Sequence, residues 1–229
     1  DQTTAPLSPM QERLWFFESL QPGTPTNHLP SAHRLRGPMD VAAFERAFQR
    51  MVDRQSALRT TLRRVGRETV QYVLPRLAAR FEPIHDLSQH AESQREALVR
   101  DAITQASREP FDLENGPLFR ARLHRLAADD HVFFFMVHHL VWDGSSFDLL
   151  YQEMSAHYAA ELEQRASALP PLSVSYGDFA SWMGQWLEGE ELRRQTQFWK
   201  SKLTPLPAPL SLHADRPRPA HMSGQGASF

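Results

Sequence analysis

The stretch His131-Val132-Phe133-Phe134-Phe135-Met136-Val137-His138-His139-Leu140-Val141-Trp142-Asp143-Gly144 decides how this chain is read. Six consecutive apolar residues, Val132 to Val137, leave neither side of an extended segment polar, so they predict a strand covered on both faces. The segment is far shorter than the roughly 20 residues an apolar helix needs to cross a membrane. At its end stand two adjacent histidines. On a strand successive side chains point to opposite faces, so His138 and His139 cannot readily share one metal ion or one chemical task. One faces a reactive site while the other supports it.

Working outward, Phe119 to Leu126 forms a partner strand, separated from the first by Ala127-Ala128-Asp129-Asp130. After Asp143-Gly144 a helix is expected to begin at Ser145 or Ser146, with Phe147, Leu149, Leu150, Met154, Tyr158 and Leu162 as its buried stripe. Upstream, Met10, Leu14 and Phe17 recur at helical spacing behind Ser8-Pro9, and Trp15 and Phe16 extend what is expected to be core packing. A second helix follows Asp40, whose carboxylate can cap it, with Val41, Phe44, Phe48, Met51 and Val52 on one face. Residues 32–36 suggest a short strand, 58–65 and 69–73 a hairpin about Gly66-Arg67, and 91–108 a helix halted before Pro110. A long helix is expected within 176–203, where Trp182 and Trp186 share a face and fit helix packing. Alternating helices and strands of this kind predict a layered α/β (α+β) sandwich.

The remaining composition narrows the partners. In 229 residues the formal charge is −2, which gives no broad basic surface for nucleic acid, and Arg216 and Arg218 lie interleaved with proline. The absence of cysteine excludes disulfides, thiolate metal sites and a cysteine nucleophile. Neither a membrane segment nor a secretory signal is evident, so a cytoplasmic location is expected. Prolines concentrated at 205–219 predict an extended crossing segment, and the lack of a closing element at Ser228-Phe229 raises the expectation of a longer parent chain.

A neutral imidazole at a strand end can take a proton from an amine or hydroxyl as it attacks a carbonyl. Asp143 can brace the loop through an arginine or orient an imidazole, and the residues alone do not choose. A metal-hydrolase reading would recruit His138, His139, Asp143 and His131. The opposed faces of the paired histidines and the absence of an H-E-x-x-H helix weigh against it, so no metal is expected.

The run His138 to Gly144 matches HHxxxDG, and the chain resembles the condensation domain of nonribosomal peptide synthetases, within the chloramphenicol acetyltransferase-like superfamily. The likeness extends to Leu7-Ser8-Pro9-Met10-Gln11-Glu12-Arg13-Leu14-Trp15 and to Arg54-Gln55-Ser56-Ala57-Leu58-Arg59-Thr60, where Gln55 replaces the usual histidine of RHxxLRT. It continues through Tyr176-Gly177-Asp178-Phe179, Phe198-Trp199 and Asp215-Arg216-Pro217-Arg218-Pro219. The resemblance implies an N-terminal acetyltransferase-like lobe over 1–175, then a helix and extended crossing segment over 176–229 leading into a C-terminal lobe.

It further implies an acyltransferase that forms an amide. An acyl or peptidyl thioester on one carrier protein's phosphopantetheine arm is attacked by the amine of an aminoacyl group on another. No cofactor is bound directly, and the partners are peptidyl or acyl carrier proteins, the C-terminal lobe and neighbouring synthetase domains. The catalytic position falls on His139. His138 is expected to support it, Asp143 to be structural with Arg59 or an arginine of the other lobe as its partner, and Gly144 to permit the turn while offering its N–H near the thioester. Intact histidines argue against a cyclisation domain. An epimerisation fragment, and a non-catalytic half that docks carrier proteins, are the alternatives; a lone lobe is expected to be a poor catalyst.

Overall fold

The computed structural model describes residues 3–79, 81, 84–208 and 210. In chain order the elements are β1 (Thr4–Pro6), α1 (Pro9–Leu20), β2 (His28–Arg36), α2 (Val41–Arg54), β3 (Thr60–Val65), β4 (Glu68–Val73) and β5 (His85–Asp86). They continue with α3 (Glu92–Ala106), β6 (Phe119–Ala127), β7 (Asp130–His138), α4 (Ser146–Leu162), α5 (Tyr176–Leu187) and α6 (Glu190–Lys202). The chain divides into two units, one through Met183 and one from Gly184. In the second, α6 carries basic residues in its last turn and an exposed Phe198-Trp199 pair in edge-to-face contact. The expected long helix is therefore two helices, broken at Glu188-Gly189.

The first unit is built on a four-stranded sheet in the order β2-β7-β6-β5, antiparallel except for the short β5–β6 pairing. As its composition predicts, β7 is covered twice. Phe133, Phe135 and Val137 join Phe44, Phe48 and Met51 of α2 and Leu150 and Met154 of α4, whereas Phe134 and Met136 pack with Ala106 of α3. Phe48 alone meets the rings of Phe81, Phe119, Phe133 and Phe135 at 5.4–6.0 Å. Each such fully buried side chain contributes about 1.5–3 kcal/mol by leaving water. A separate antiparallel sheet, β1-β4-β3, stands beside this core.

Charge secures the α2–α4 contact. Arg46, Arg50 and Arg54 lie one turn apart on α2, and Glu153, His157 and Glu161 lie one turn apart on α4. Both Arg46 and Arg50 pair with Glu161, and Arg54 pairs with Glu153. His157 is buried between them, and burial pushes its pKa down. The face presented by α4 is thus partly polar. Leu149 and Leu162, expected in its buried stripe, are exposed at 55% and 52%.

Two further apolar expectations differ from the structure in how much of each side chain is covered. Met10, Phe16 and Phe17 of α1 are more than half exposed, and only Leu14 and Trp15 pack against the core. Trp182 and Trp186 are also exposed. Strand β2 extends over nine residues, well beyond 32–36, because it pairs along the whole of β7. Pro209, Pro217 and Pro219, and the Asp215 to Pro219 motif, lie outside the described residues.

Candidate active site

The paired histidines straddle the end of β7, whose last residue is His138. The β2 register sets His28 opposite His138, and the His139 N–H donates to the Asn27 carbonyl at 2.8 Å. Strand alternation then sends the rings apart: His138 is fully buried and His139 is exposed.

Neighbouring main-chain groups hold the two rings in opposite tautomers. His139 Nδ1 lies 2.7 Å from the Trp142 carbonyl, an acceptor only, so Nδ1 carries the proton and the Nε2 lone pair is left open. His138 Nδ1 instead accepts the Leu140 N–H at 3.1 Å, which places the neutral ring's proton on Nε2. That Nε2 lies 3.7 Å from Glu18 Oε2, beyond hydrogen-bond length, and has no hydrogen-bond partner among the described residues. Burial pushes the His138 pKa down to about 4, so this ring is neutral near pH 7. The outward ring is the one equipped to accept a proton.

Local packing explains why the loop can offer these groups. The Trp142 side chain is buried against Phe135 and Phe147, which fixes the carbonyl that orients His139. The Leu140 carbonyl accepts from Gln11 Nε2 at 2.9 Å, and the same amide donates to Gln71 Oε1 of β4 at 3.1 Å. Gln11 is also the closing residue of a capping box: Ser8 Oγ accepts the Gln11 N–H, and Gln11 Oε1 accepts the Ser8 N–H. The start of α1 therefore ties the histidine loop to the three-stranded sheet.

Asp143 Oδ1 accepts from the Ser145 hydroxyl at 2.8 Å and from the Ser146 hydroxyl and N–H at 2.7 and 2.9 Å. The Ser146 hydroxyl is the main cause of its pKa lying below the usual carboxylate range. Asp143 is thus the anchor of the first turn of α4. It does not pair with Arg59, contrary to expectation. Arg59 closes the short turn between α2 and β3, where its guanidinium donates to the carbonyls of Val52, Asp53, Leu74 and Pro75. That position clamps the end of α2 to the end of β4 and commits the guanidinium to main-chain carbonyls. Gly144 has no left-handed φ, and a Cβ there would meet nothing within 4 Å, so the turn does not require glycine.

His139, Trp142 and Asp143 line a cavity of about 900 Å³ together with Arg54, Gln55 and Glu153. Gln55, the departure from RHxxLRT, donates to both Glu153 oxygens at 2.9 Å, and Arg54 Nε donates to one of them. The Glu153 carboxylate of the cavity wall is thus held by Arg54 and Gln55, while the wall as a whole carries Asp53, Asp143, Glu153 and Asp178 against Arg54 and Arg59. No group of three or more His, Asp or Glu side chains among the described residues is arranged to hold a metal ion. No described helix is long and apolar enough to cross a membrane.

Sequence reasoning missed Glu18, Asn27, Trp142 and Gln11 as site-building residues. Only Gln11 carried a signal, since Ser8-x-x-Gln11 has the spacing of a capping box. For Glu18 and Asn27 nothing in the local pattern reveals that α1 and the start of β2 converge beneath His138.

The Condensation domain family matches the chain over residues 1–229. One of the proteins of the linear gramicidin synthase of Brevibacillus parabrevis is 41% identical over 98% of this chain, which spans 3% of that protein. Phosphinothricin tripeptide synthetase PhsC of Streptomyces viridochromogenes is 34% identical over 99% of the chain, which spans 21% of it. Among solved structures, the X-domain in its complex with OxyB from teicoplanin biosynthesis is 28% identical with a TM-score of 0.82, covering 96% of this chain and 48% of that one. The starter condensation domain of rhizomide synthetase RzmA shares the fold at 22% identity, TM-score 0.80, with 91% and 50% covered. The chain thus spans about half of each solved domain and a small part of each synthetase.

Proposed function

Because this chain belongs to the condensation-domain family and has the fold of its N-terminal lobe, we propose that it supplies the histidine-bearing wall of an amide-forming acyltransferase site. The observation that carries the reading is the open Nε2 of His139, held outward at the edge of the cavity by the Trp142 carbonyl. In the reaction the amine of a carrier-bound aminoacyl group attacks the carbonyl carbon of a carrier-bound thioester. Nε2 accepts the proton shed by the amine nitrogen. The C–S bond then breaks, the amide forms, and the proton passes to the departing thiolate.

The thioester is already activated, so the work of the site is proximity and proton handling, with no covalent acyl-enzyme. Two phosphopantetheine arms reach His139 from carrier proteins, and a second lobe closes the cavity. The test supplies carrier-bound acyl donor and amine acceptor to the chain alone, to the chain joined to a second lobe, and to that pair with His139→Ala. Amide is expected only in the second case, with a loss of at least about a hundredfold on His139→Ala. Unchanged product formation in the variant would reject the role.

A docking role is the second reading. It is favoured by the 28% likeness to an X-domain whose structure was solved in complex with OxyB. It predicts carrier binding with no amide product and no effect of His139→Ala.

A further inference from the structure

Beneath the active-site loop lies a buried carboxylate that the chemistry above does not use. Glu18, in the last turns of α1, is 8% exposed although it faces the protein interior with no arginine or lysine paired to it among the described residues. A carboxylate in such a position is costly unless its oxygens are occupied. Here Oε1 accepts the Gly23 N–H at 3.3 Å and Oε2 accepts Asn27 Nδ2 at 3.0 Å, while the protonated Nε2 of His138 approaches Oε2 at 3.7 Å.

Two routes lead from this carboxylate to the same imidazole. Through Asn27 it holds the residue whose carbonyl accepts the His139 N–H, which fixes the main chain of the reactive histidine. Through His138 it favours the tautomer whose Nδ1 accepts the Leu140 N–H, which shapes the turn that presents the Trp142 carbonyl to His139 Nδ1. Were the His138 proton to move to Nδ1, it would confront the Leu140 N–H, donor against donor. The ring cannot easily move aside, because Phe111 and His28 flank it edge-on at 5.9 and 6.2 Å, and His28 Nδ1 is itself spent on the Ser107 carbonyl.

We propose that Glu18 is a positioning residue for the reaction: by hydrogen-bonding Asn27 and by facing the Nε2 proton of His138 with its charge, it sets the backbone and the ring orientation of His139 at once. The inference rests on His139 being the proton acceptor, and it deepens that reading by assigning what keeps the acceptor in register. Glu18 touches no reacting atom.

The test uses a complete condensation domain carrying this segment, with Glu18→Ala, Glu18→Gln and Glu18→Asp compared on the same carrier-bound substrates. Glu18→Gln preserves volume but turns one of two acceptors into a donor, and it guards against a simple failure of Glu18→Ala to fold. Both are expected to lower kcat at least about tenfold with KM changed less than about threefold, and Glu18→Asp to recover most of the loss. Ring-nitrogen NMR of the same variants is expected to show mixed His138 tautomers and loss of the ordered Nδ1–H form of His139. A folded Glu18→Gln variant with wild-type kcat, or one whose His139 spectrum is unchanged while kcat falls, would overturn the proposal. His139→Ala distinguishes the two levels: if it leaves turnover intact the proton-acceptor reading fails, whereas the spectra still decide whether Glu18 orders the ring.

Discussion

Asp143 and Gly144 illustrate how two neighbouring motif residues have different physical warrants. Asp143 holds the first turn of α4 through a backbone N–H and two serine hydroxyls. Its replacement by alanine removes the acceptor for an otherwise free helix N–H, and a loss of about 1 kcal/mol is expected in urea unfolding. Gly144 has neither a left-handed φ nor a neighbour that a Cβ would strike. Gly144→Ala is therefore expected to change stability by less than about 0.5 kcal/mol in the same experiment. A fall in turnover without a fall in stability would then report what approaches the bare Cα during the reaction. A large destabilisation would instead show that the loop needs glycine for its own sake.

At the scale of single strands, β6 and β7 bury titratable rings that must remain neutral. Burial pushes the pKa of His124 and that of His138 down to about 4. The unfolded chain binds protons at these rings near the ordinary value of about 6.5, while the folded chain does not. Stability from this source is therefore full above pH 6.5, falls as the pH drops through that value toward 4, and is lost below it. The cost at full protonation is on the order of 3 kcal/mol per ring, because each tenfold loss of proton affinity on folding corresponds to about 1.4 kcal/mol. Urea midpoints between pH 7 and pH 4.5 are expected to decline, and more shallowly in His124→Asn. A His124→Asn variant with an unaltered slope would contradict the assignment.

The same strands show what was legible beforehand. Val132 to Val137 announced a doubly covered strand, and adjacency of His138 and His139 announced opposite faces, because period-two geometry is local. The partner of Arg59 was not legible in this way. It depends on which carbonyls the turn at 56–59 brings within reach, a property of the assembled fold, and those carbonyls take the guanidinium away from Asp143. The stripe expected of α4 packs in the core at Phe147, Leu150, Met154 and Tyr158, with Phe44, Phe48 and Met51 of α2, whereas Leu149 and Leu162 fall outside it. Helical periodicity identifies a face without identifying what covers it.

For the molecule as a whole, one sheet carries both stability and the site. Phe134 is fully buried on the α3 side of β7, four residues from His138 and on the same face. Phe134→Ala is expected to cost about 3–5 kcal/mol through lost burial and the cavity left behind, measured by chemical unfolding. A cost below about 1 kcal/mol would mean that the two layers do not close on β7 as described. The fold class, the sheet and the outward placement of His139 at the strand end followed from the sequence and from its resemblance to condensation domains. The exposure of Met10, Phe16 and Phe17 on α1 did not, since helical spacing looks alike whether or not a neighbouring element covers the face.

All of this converges on one arrangement, an outward imidazole with its proton on Nδ1 and an inward one with its proton on Nε2. Ring-nitrogen NMR of the wild-type protein near pH 7, with the two histidines assigned by His138→Asn and His139→Asn, reads both directly. The structure predicts an unprotonated Nε2 at His139 and an unprotonated Nδ1 at His138. A His139 ring protonated at Nε2 and bare at Nδ1 would contradict it, because that ring could not accept the amine's proton from the side it presents.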